Sequence, residues 1–271
     1  MSIIIFIFAL TNLFMMAKQI TIRELTESEL IEWYYKSSET KKYVDFYVEE
    51  LKKYHQPMLE INCGTGEILK SLVASGIACD GLDCAAEQIK ICGEELTRNN
   101  LESTLYNFDY NNYSLPNKYN TIFIPQSTLC MISDLGAVKQ FLKNVYETLE
   151  NGGSLLFDLY IPWKDITDYH SNKWSSGNAI ENPETGEIFV YSYSCDIDLA
   201  KQIRTTNSKY ELYKDGKLVS VHFDTSQSRW FTDNEMHMLL EEIGFSSVSS
   251  TKIFQDSDLD YSTLFVASKL N

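Results

Sequence analysis

Hydrophobic and polar positions along this chain change period several times, and the changes mark its elements. Thr26-Glu-Ser-Glu29 is a capping-box pattern that opens a helix through Ile31 and Tyr35. Val44, Tyr47, Val48 and Leu51 recur at helical spacing. Pro57 to Ile61 is then a short apolar strand, and Ile68, Leu69, Leu72 and Val73 open a helix that Gly76 ends. Ile77 to Leu82 predicts a second strand ending at Asp83, and Ala85, Ile89, Cys92 and Leu96 a further helix. Thr104 to Phe108 is a brief strand before Asp109, and Thr121 to Ile124 another before Pro125. Leu135, Val138, Phe141, Leu142, Val145 and Leu149 give the clearest helical stripe. Asn151-Gly-Gly153 predicts a turn, and Ser154 to Tyr160 an apolar strand. Strands alternating with helices imply βαβ units and a mostly parallel sheet.

Residues 161–230 break this rhythm. Stretches 187–197, 202–213 and 217–229 are rich in Tyr, Ile, Val, Phe and Thr and lack a helical stripe. Asp215-Gly216 between two of them is a hairpin signal. We read an antiparallel β insertion over 161–230, on the acceptor side, within a core of 56–160 and 231–271. Thr232-Asp-Asn-Glu235 caps a last helix bearing Met236, Leu239, Leu240 and Ile243, and strands near 246–254 and 262–268 close the sheet. Residues 18–55 form an N-terminal helical cap. Residues 1–17 are an apolar leader, too short to span a membrane and without a basic start. We read it as an upstream extension before a start near Met15 or Met16, with a weak membrane anchor as the alternative.

Charge narrows the partners. Twenty-three Lys and Arg against 38 Asp and Glu give −15 over 271 residues, a surface that repels phosphate backbones. No nucleic acid is expected. Six cysteines show no C-x-x-C spacing and four histidines no H-E-x-x-H, so no metal site is expected. Five of the six cysteines fall in apolar stretches and read as buried thiols, which suits a cytoplasmic protein.

The chemistry gathers where strands end. Leu59-Glu-Ile-Asn-Cys-Gly-Thr-Gly66 joins a strand to a helix, and glycines there let a ligand approach backbone N–H groups. A dinucleotide fingerprint would need Gly or Ala at position 69, where Leu69 stands, so a nicotinamide oxidoreductase loses ground. Asp83 can accept hydrogen bonds from ribose hydroxyls. Asp109, with Phe108 and Tyr110 beside it, can take an exocyclic amine and cover a flat ring.

Glu60-Ile-Asn-Cys-Gly-Thr-Gly66, Gly81-Leu-Asp83 and Asn107-Phe-Asp109 resemble the first three motifs of class I S-adenosylmethionine-dependent methyltransferases. Leu149 to Asp158 resembles that family's strand-five segment. Arg229-Trp-Phe-Thr232, Glu235 and Gly244-Phe245, with Tyr35 ten residues before Asp45, resemble a bacterial small-molecule subgroup. Asn62, Ala85 and Asn120 depart from the common pattern.

The resemblance implies an α/β fold: a Rossmann-like sheet, mostly parallel, of seven strands with the last antiparallel, plus the helical cap and β insertion. It implies S-adenosyl-L-methionine as cofactor and S-adenosyl-L-homocysteine as product. Gly64 and Gly66 would face the methionine part, with Asn62 in the same cofactor-binding loop and Glu60 organising that loop or reaching the amino group through water. Asp83, with Cys84, would hold the ribose, and Asp109, with Phe108, the adenine. Gln126 and Ser127 would border the sulfonium, and Tyr35 could close over the methyl or the carboxylate. Trp163, Arg229 and Trp230 are the substrate-side candidates. Trp163, Trp174 and Trp230 pack the insertion's β layer or line the acceptor pocket. No catalytic base is nominated: His170 and His222 read as surface or structural. The expected reaction is methyl transfer to N or O of a small molecule, by a monomer or homodimer without stable membrane insertion. A cofactor-binding protein without turnover is the alternative.

Overall fold

The computed structural model describes residues 38–108, 115–167, 173–182, 185–257 and 260–271. Tyr35, Asp109, His170, the Thr26 capping box and the apolar leader lie outside the described residues. The strands are β1 (Met58–Ile61), β2 (Cys79–Asp83), β3 (Leu105–Asn107), β4 (Tyr119–Ile124), β5 (Leu149–Tyr160), β6 (Ser175–Glu181), β7 (Ile188–Asp198), β8 (Ile203–Lys214), β9 (Lys217–Arg229), β10 (Ser246–Ser257) and β11 (Asp260–Ser268). The helices are α1 (Ser38–Leu51), α2 (Glu67–Ala74), α3 (Ala86–Arg98), α4 (Leu135–Thr148), α5 (Trp163–Thr167) and α6 (Asp233–Ile243).

Seven strands make one sheet in the order β10-β11-β5-β4-β1-β2-β3. Only β11 runs antiparallel to its neighbours. β1 is buried along its whole length, as a parallel strand covered on both faces must be. Leu51, Leu69, Leu72 and Leu96 from α1, α2 and α3 cover one face, over Met58, Phe123 and Leu156. Phe141, Leu142, Met236 and Leu240 from α4 and α6 cover the other, over Ile122, Phe157 and Phe265. This is the expected Rossmann-like architecture.

β5 corrects one detail. The turn expected at Asn151–Gly153 is a bulge inside a continuous strand. Tyr119 pairs with Leu149 but Thr121 with Ser154, so β5 spends five residues where β4 spends two. Gly152 is left-handed, φ 76°. Its N–H reaches the Lys269 carbonyl at 3.1 Å, and Lys269 N–H returns to Gly153 at 2.9 Å. The turn residues read correctly as punctuation, but β11 supplies partners that keep them in the sheet.

The second sheet is antiparallel, β6-β7-β8-β9. Its Asp215-Gly216 turn has φ 50° and 69°, the doubly left-handed hairpin geometry that Asp-Gly favours. β6 and α5 were not expected. Ser175-Ser-Gly-Asn-Ala-Ile-Glu181 has little β-branched character, and pairing with β7 makes it a strand. Four cysteines are buried, not five: Cys195 is half-buried and Cys84 exposed. Trp174 is 49% exposed and meets Phe223 of β9 edge-on at 6.5 Å.

Gln202 knots the insertion to α6. Its amide donates to Glu235 at 2.8 Å and to the Trp230 carbonyl at 3.3 Å, and accepts from Arg229 at 3.3 Å. It does so from a left-handed backbone, φ 57°. Gln202→Ala loses the amide and keeps the strain, and should cost about 1–3 kcal/mol. Gln202→Gly loses the amide but relieves the backbone, and should be about 1 kcal/mol more stable than Ala. Denaturant unfolding of the two variants checks the order; Ala above Gly would show that the backbone there carries no strain.

Candidate active site

Strand order reverses between β1 and β4: β2 and β3 lie beyond β1, and β5 beyond β4. Open α/β sheets bind ligands at such a switch point, outside the carboxyl ends of the strands. Here the crevice has two lips, the loop after β1 (62–66) and the turn after β4 (125–127).

The first lip is wound tightly. Asn62, Gly64 and Gly66 all take left-handed backbone, φ 60°, 55° and 84°. Gly66 N–H closes onto the Cys63 carbonyl at 2.8 Å. A Cβ on Gly66 would lie 2.4 Å from Cys92 Sγ on α3, and one on Gly81 would lie 2.8 Å from Cys63 Sγ. The two glycines let the loop settle between α3 and β2.

Asp83 clamps this lip from the next strand. One carboxylate oxygen accepts the Gly64 N–H at 2.9 Å, and the other the Ala85 N–H at 2.8 Å. The side chain is not an open acid in a solvated cleft: Asp83 is only 6% exposed. Each oxygen still has a second lone pair for a ligand hydroxyl. Asn107 Nδ2 and Phe108 N–H both donate to the Asp83 carbonyl, at 3.0 and 3.2 Å, which brings β3 beside it. Phe108 and Cys84 are exposed there, and the Phe108 ring stacks on Tyr106 at 6.3 Å.

Glu60 lies beneath the loop and is almost wholly buried. Burial first, then the negative charges of Cys92, Asp83 and Glu67, raises its carboxyl well above the usual range, against the pull of the Leu69 N–H. Its Oε2 and the Asn62 Oδ1 are buried without a donor among the described residues. Unfilled acceptors beneath a loop rich in left-handed backbone suit a cationic amino group. The residues therefore fit the methionine end of S-adenosylmethionine, whose ammonium carries three donors.

The second lip is strained. Gln126 and Ser127 are consecutive left-handed residues, φ 61° and 54°, and neither is glycine; such backbone costs roughly 1–2 kcal/mol per residue. Asp158 of β5 holds it. Ser127 Oγ donates to one oxygen at 2.8 Å, and the Gln126 and Ser127 N–H groups also donate to the carboxylate. The other oxygen accepts Tyr47 OH of α1 at 2.5 Å. Asp158 is fully buried. Burial raises its carboxyl and these four donors oppose the rise. Burial and the adjacent carboxylate push the Tyr47 phenol well above its usual range.

Asp158 and Tyr47 were missed as site residues. The signal was present: an acid interrupts the apolar run Leu155-Leu-Phe-Asp-Leu159. Tyr47 read only as part of an apolar stripe. The substrate-side candidates are dispersed. Trp163 sits half-buried on α5. Trp230 is buried at the seam, and the Arg229 guanidinium is engaged there by the Lys201 carbonyl, Gln202 and Glu235. Among the described residues no group of three potential metal ligands occurs, and no helix is long and apolar enough to cross a membrane.

Glu60 makes a stability prediction with a definite sign. Its folded carboxyl sits above its unfolded value, so the folded state binds the proton more tightly. Stability from this group is full below the usual carboxylate range and is lost as pH rises through the raised value. Glu60→Gln abolishes that loss. The Tm of the ligand-free variant should gain on the unaltered protein as pH rises above about 4.3. Parallel Tm–pH curves would show that Glu60 is not held protonated.

Residues 58–153 match the family model described as Methyltransferase domain. A protein of Geobacillus sp. (strain WCH70), carried under the provisional name of a methyltransferase, is 21% identical over 240 residues, covering 83% of this chain and 90% of that one. An S-adenosylmethionine-dependent methyltransferase from Clostridium acetobutylicum ATCC 824 superposes with a TM-score of 0.71 at 15% identity, over 85% of this chain and 92% of that one. CalS10, an amino pentose methyltransferase from Micromonospora echinaspora with S-adenosylmethionine bound, gives 0.68 at 13%, over 91% and 98%. With the glycine loop and strand order above, these show a methyltransferase domain over residues 58–153 and, for the chain, the fold of S-adenosylmethionine-dependent methyltransferases.

Proposed function

We propose that this enzyme methylates a nitrogen of a small, polar amine, with an oxygen acceptor as the alternative, and that it works in the cytoplasm. The observation that carries the donor side is the clamp between Gly64 N–H and Asp83 across the carboxyl ends of β1 and β2. S-adenosylmethionine supplies an already activated methyl carbon. On this reading the loop 62–66 receives the amino-acid end over Glu60 and Asn62. Asp83 takes the ribose hydroxyls on its free lone pairs, beside Cys84. Phe108 covers the adenine ring, and Gln126 and Ser127 border the reacting carbon. The protein then has only to align and desolvate the attacking atom, and no base need be built in when an amine arrives neutral.

The insertion supports the acceptor side. Registered pairing puts Tyr191, Tyr210 and His222 on one face, with Tyr193 and Ser208 in the next tier. α5 starts just after β5, and its Asp165 meets Arg204 on that same face at 2.8 Å. The tyrosine face therefore turns toward the carboxyl edge of the core, where the methyl is delivered. Tyrosine rings 5.2 and 5.8 Å apart give flat faces and hydroxyls that suit a small polar amine arriving neutral. The acceptor of CalS10, an amino pentose by its description, is a compound of this kind. Arg229 and Trp230 fit the seam better than the acceptor wall.

S-adenosylhomocysteine at 100 times its dissociation constant adds about 2.7 kcal/mol, a Tm rise of about 5–10 °C for a chain of this size. NAD should give none; a rise with NAD alone sinks the reading. Asp83→Asn should weaken S-adenosylhomocysteine about 10- to 150-fold, the loss of one or two bonds to a charged acceptor. Because Asp83 also clamps Gly64 and Ala85, folding should lose about 1–2 kcal/mol as well. Calorimetric titration well below the variant's Tm separates the effects, and an unchanged dissociation constant removes Asp83 from the ribose site.

A further inference from the structure

The turn after β4 and helix α1 share one buried acid. Asp158 takes Ser127 Oγ and the Gln126 and Ser127 N–H groups from the turn, and Tyr47 OH from the helix. No cation neutralises it among the described residues. Its charge is met by donors alone, an expensive arrangement for a strand that an apolar residue would serve better. The charge makes sense where the arrangement must be tight, and the turn it grips is the one held in left-handed backbone.

Other contacts of α1 are of a different kind. Tyr43 and Phe46 pack on Phe254 of β10 at 4.6 and 5.0 Å, Lys42 lies over that ring, and Tyr47 stacks on Phe123 of β4 at 5.9 Å. The ring contacts tolerate small shifts of the helix, and the Lys42–Asp256 pair at 3.6 Å is exposed to solvent. The Tyr47–Asp158 bond at 2.5 Å is directional and makes the helix position felt at the turn.

We propose that Asp158 is a positioning residue for methyl transfer: through Ser127 it shapes the turn bordering the reacting carbon, and through Tyr47 it makes that shape conditional on α1 being seated. The proposal rests on the methyltransferase reading of the crevice. It assigns α1 the role of a reporter, so that filling the crevice tightens the helix and loosening the helix weakens the crevice.

Tyr47→Phe and Ser127→Ala, singly and together, test it, because each keeps the carboxylate and most of its donors. Two quantities are read: the S-adenosylhomocysteine dissociation constant, and hydrogen exchange of segments 38–51 and 125–132 with and without S-adenosylhomocysteine. In the unaltered protein the ligand should slow exchange in both segments. Tyr47→Phe should keep the slowing at 125–132, lose it at 38–51, and weaken the ligand about 10-fold. The double variant should be weakened by clearly less than the product of the two single effects, since both act through one acid. A merely structural bond predicts otherwise: a lower Tm, ligand-induced protection of both segments and a dissociation constant within about twofold. That result overturns the proposal while leaving the methyltransferase reading intact. Failure of the unaltered protein to bind S-adenosylhomocysteine overturns both.

Discussion

A two-sided parallel sheet uses up its own backbone hydrogen bonds and is apolar on both faces, so its chemistry is confined to the carboxyl ends of its strands. In this chain that constraint is met by one bond above others, from the Gly64 N–H to Asp83. It joins the loop after β1 to the end of β2 and so fixes the floor of the crevice. Gly66 and Gly81 exist to allow it: a side chain on either would strike a cysteine that fills the space between loop, helix and strand. Cofactor geometry and core packing are therefore one problem here. Whatever seats Cys63 and Cys92 in the core also sets the backbone that a ligand meets.

Three buried acids mark the crevice, and they solve the cost of burial differently. Asp83 is met by backbone donors. Asp158 is met by two hydroxyls and two backbone donors. Glu60 is left with one oxygen unmatched, and burial with the charges of Cys92, Asp83 and Glu67 raises its carboxyl. A group left short of donors in a folded core carries a standing penalty. A cationic ligand that meets it recovers the penalty on binding. Stability and affinity then trade against each other at the same atom, as is common where a site is built before its ligand arrives.

Much of this was legible in the sequence. The period changes placed the core strands and helices, and the Asp215-Gly216 hairpin followed from turn chemistry alone. The loop 62–66 and Asp83 could be read because their residues are close in sequence and sit at strand ends. What escaped was long-range. Tyr47 looks apolar until Asp158, 111 residues later, is placed beside it. Asn151–Gly153 carries every mark of a turn, but β11 arrives from the far end of the chain to make it a bulge. β6 has too little side-chain preference to announce itself. Gln202 gave no local sign of joining Arg229 to Glu235. In each case the deciding partner is one that local periodicity cannot supply.

The two sheets divide labour in a way their compositions explain. The core sheet is buried by leucine, isoleucine and phenylalanine, packed to a fixed shape that serves an unvarying cofactor. The insertion buries Thr206, Ser208 and Ser220 on the tyrosine face and Ser192 and Ser194 on the other, small polar residues that fill less space than the leucines of the core. Such a layer is held by its strand pairing more than by side-chain interlock, so its facing residues can change without unmaking it. The hairpin sheet is fastened to the core through Gln202 and Arg229 at one place and through the Arg204–Asp165 pair at another. The knot at Gln202 constrains the orientation of the insertion where it joins the core, because hydrogen bonds are directional where apolar contacts are not.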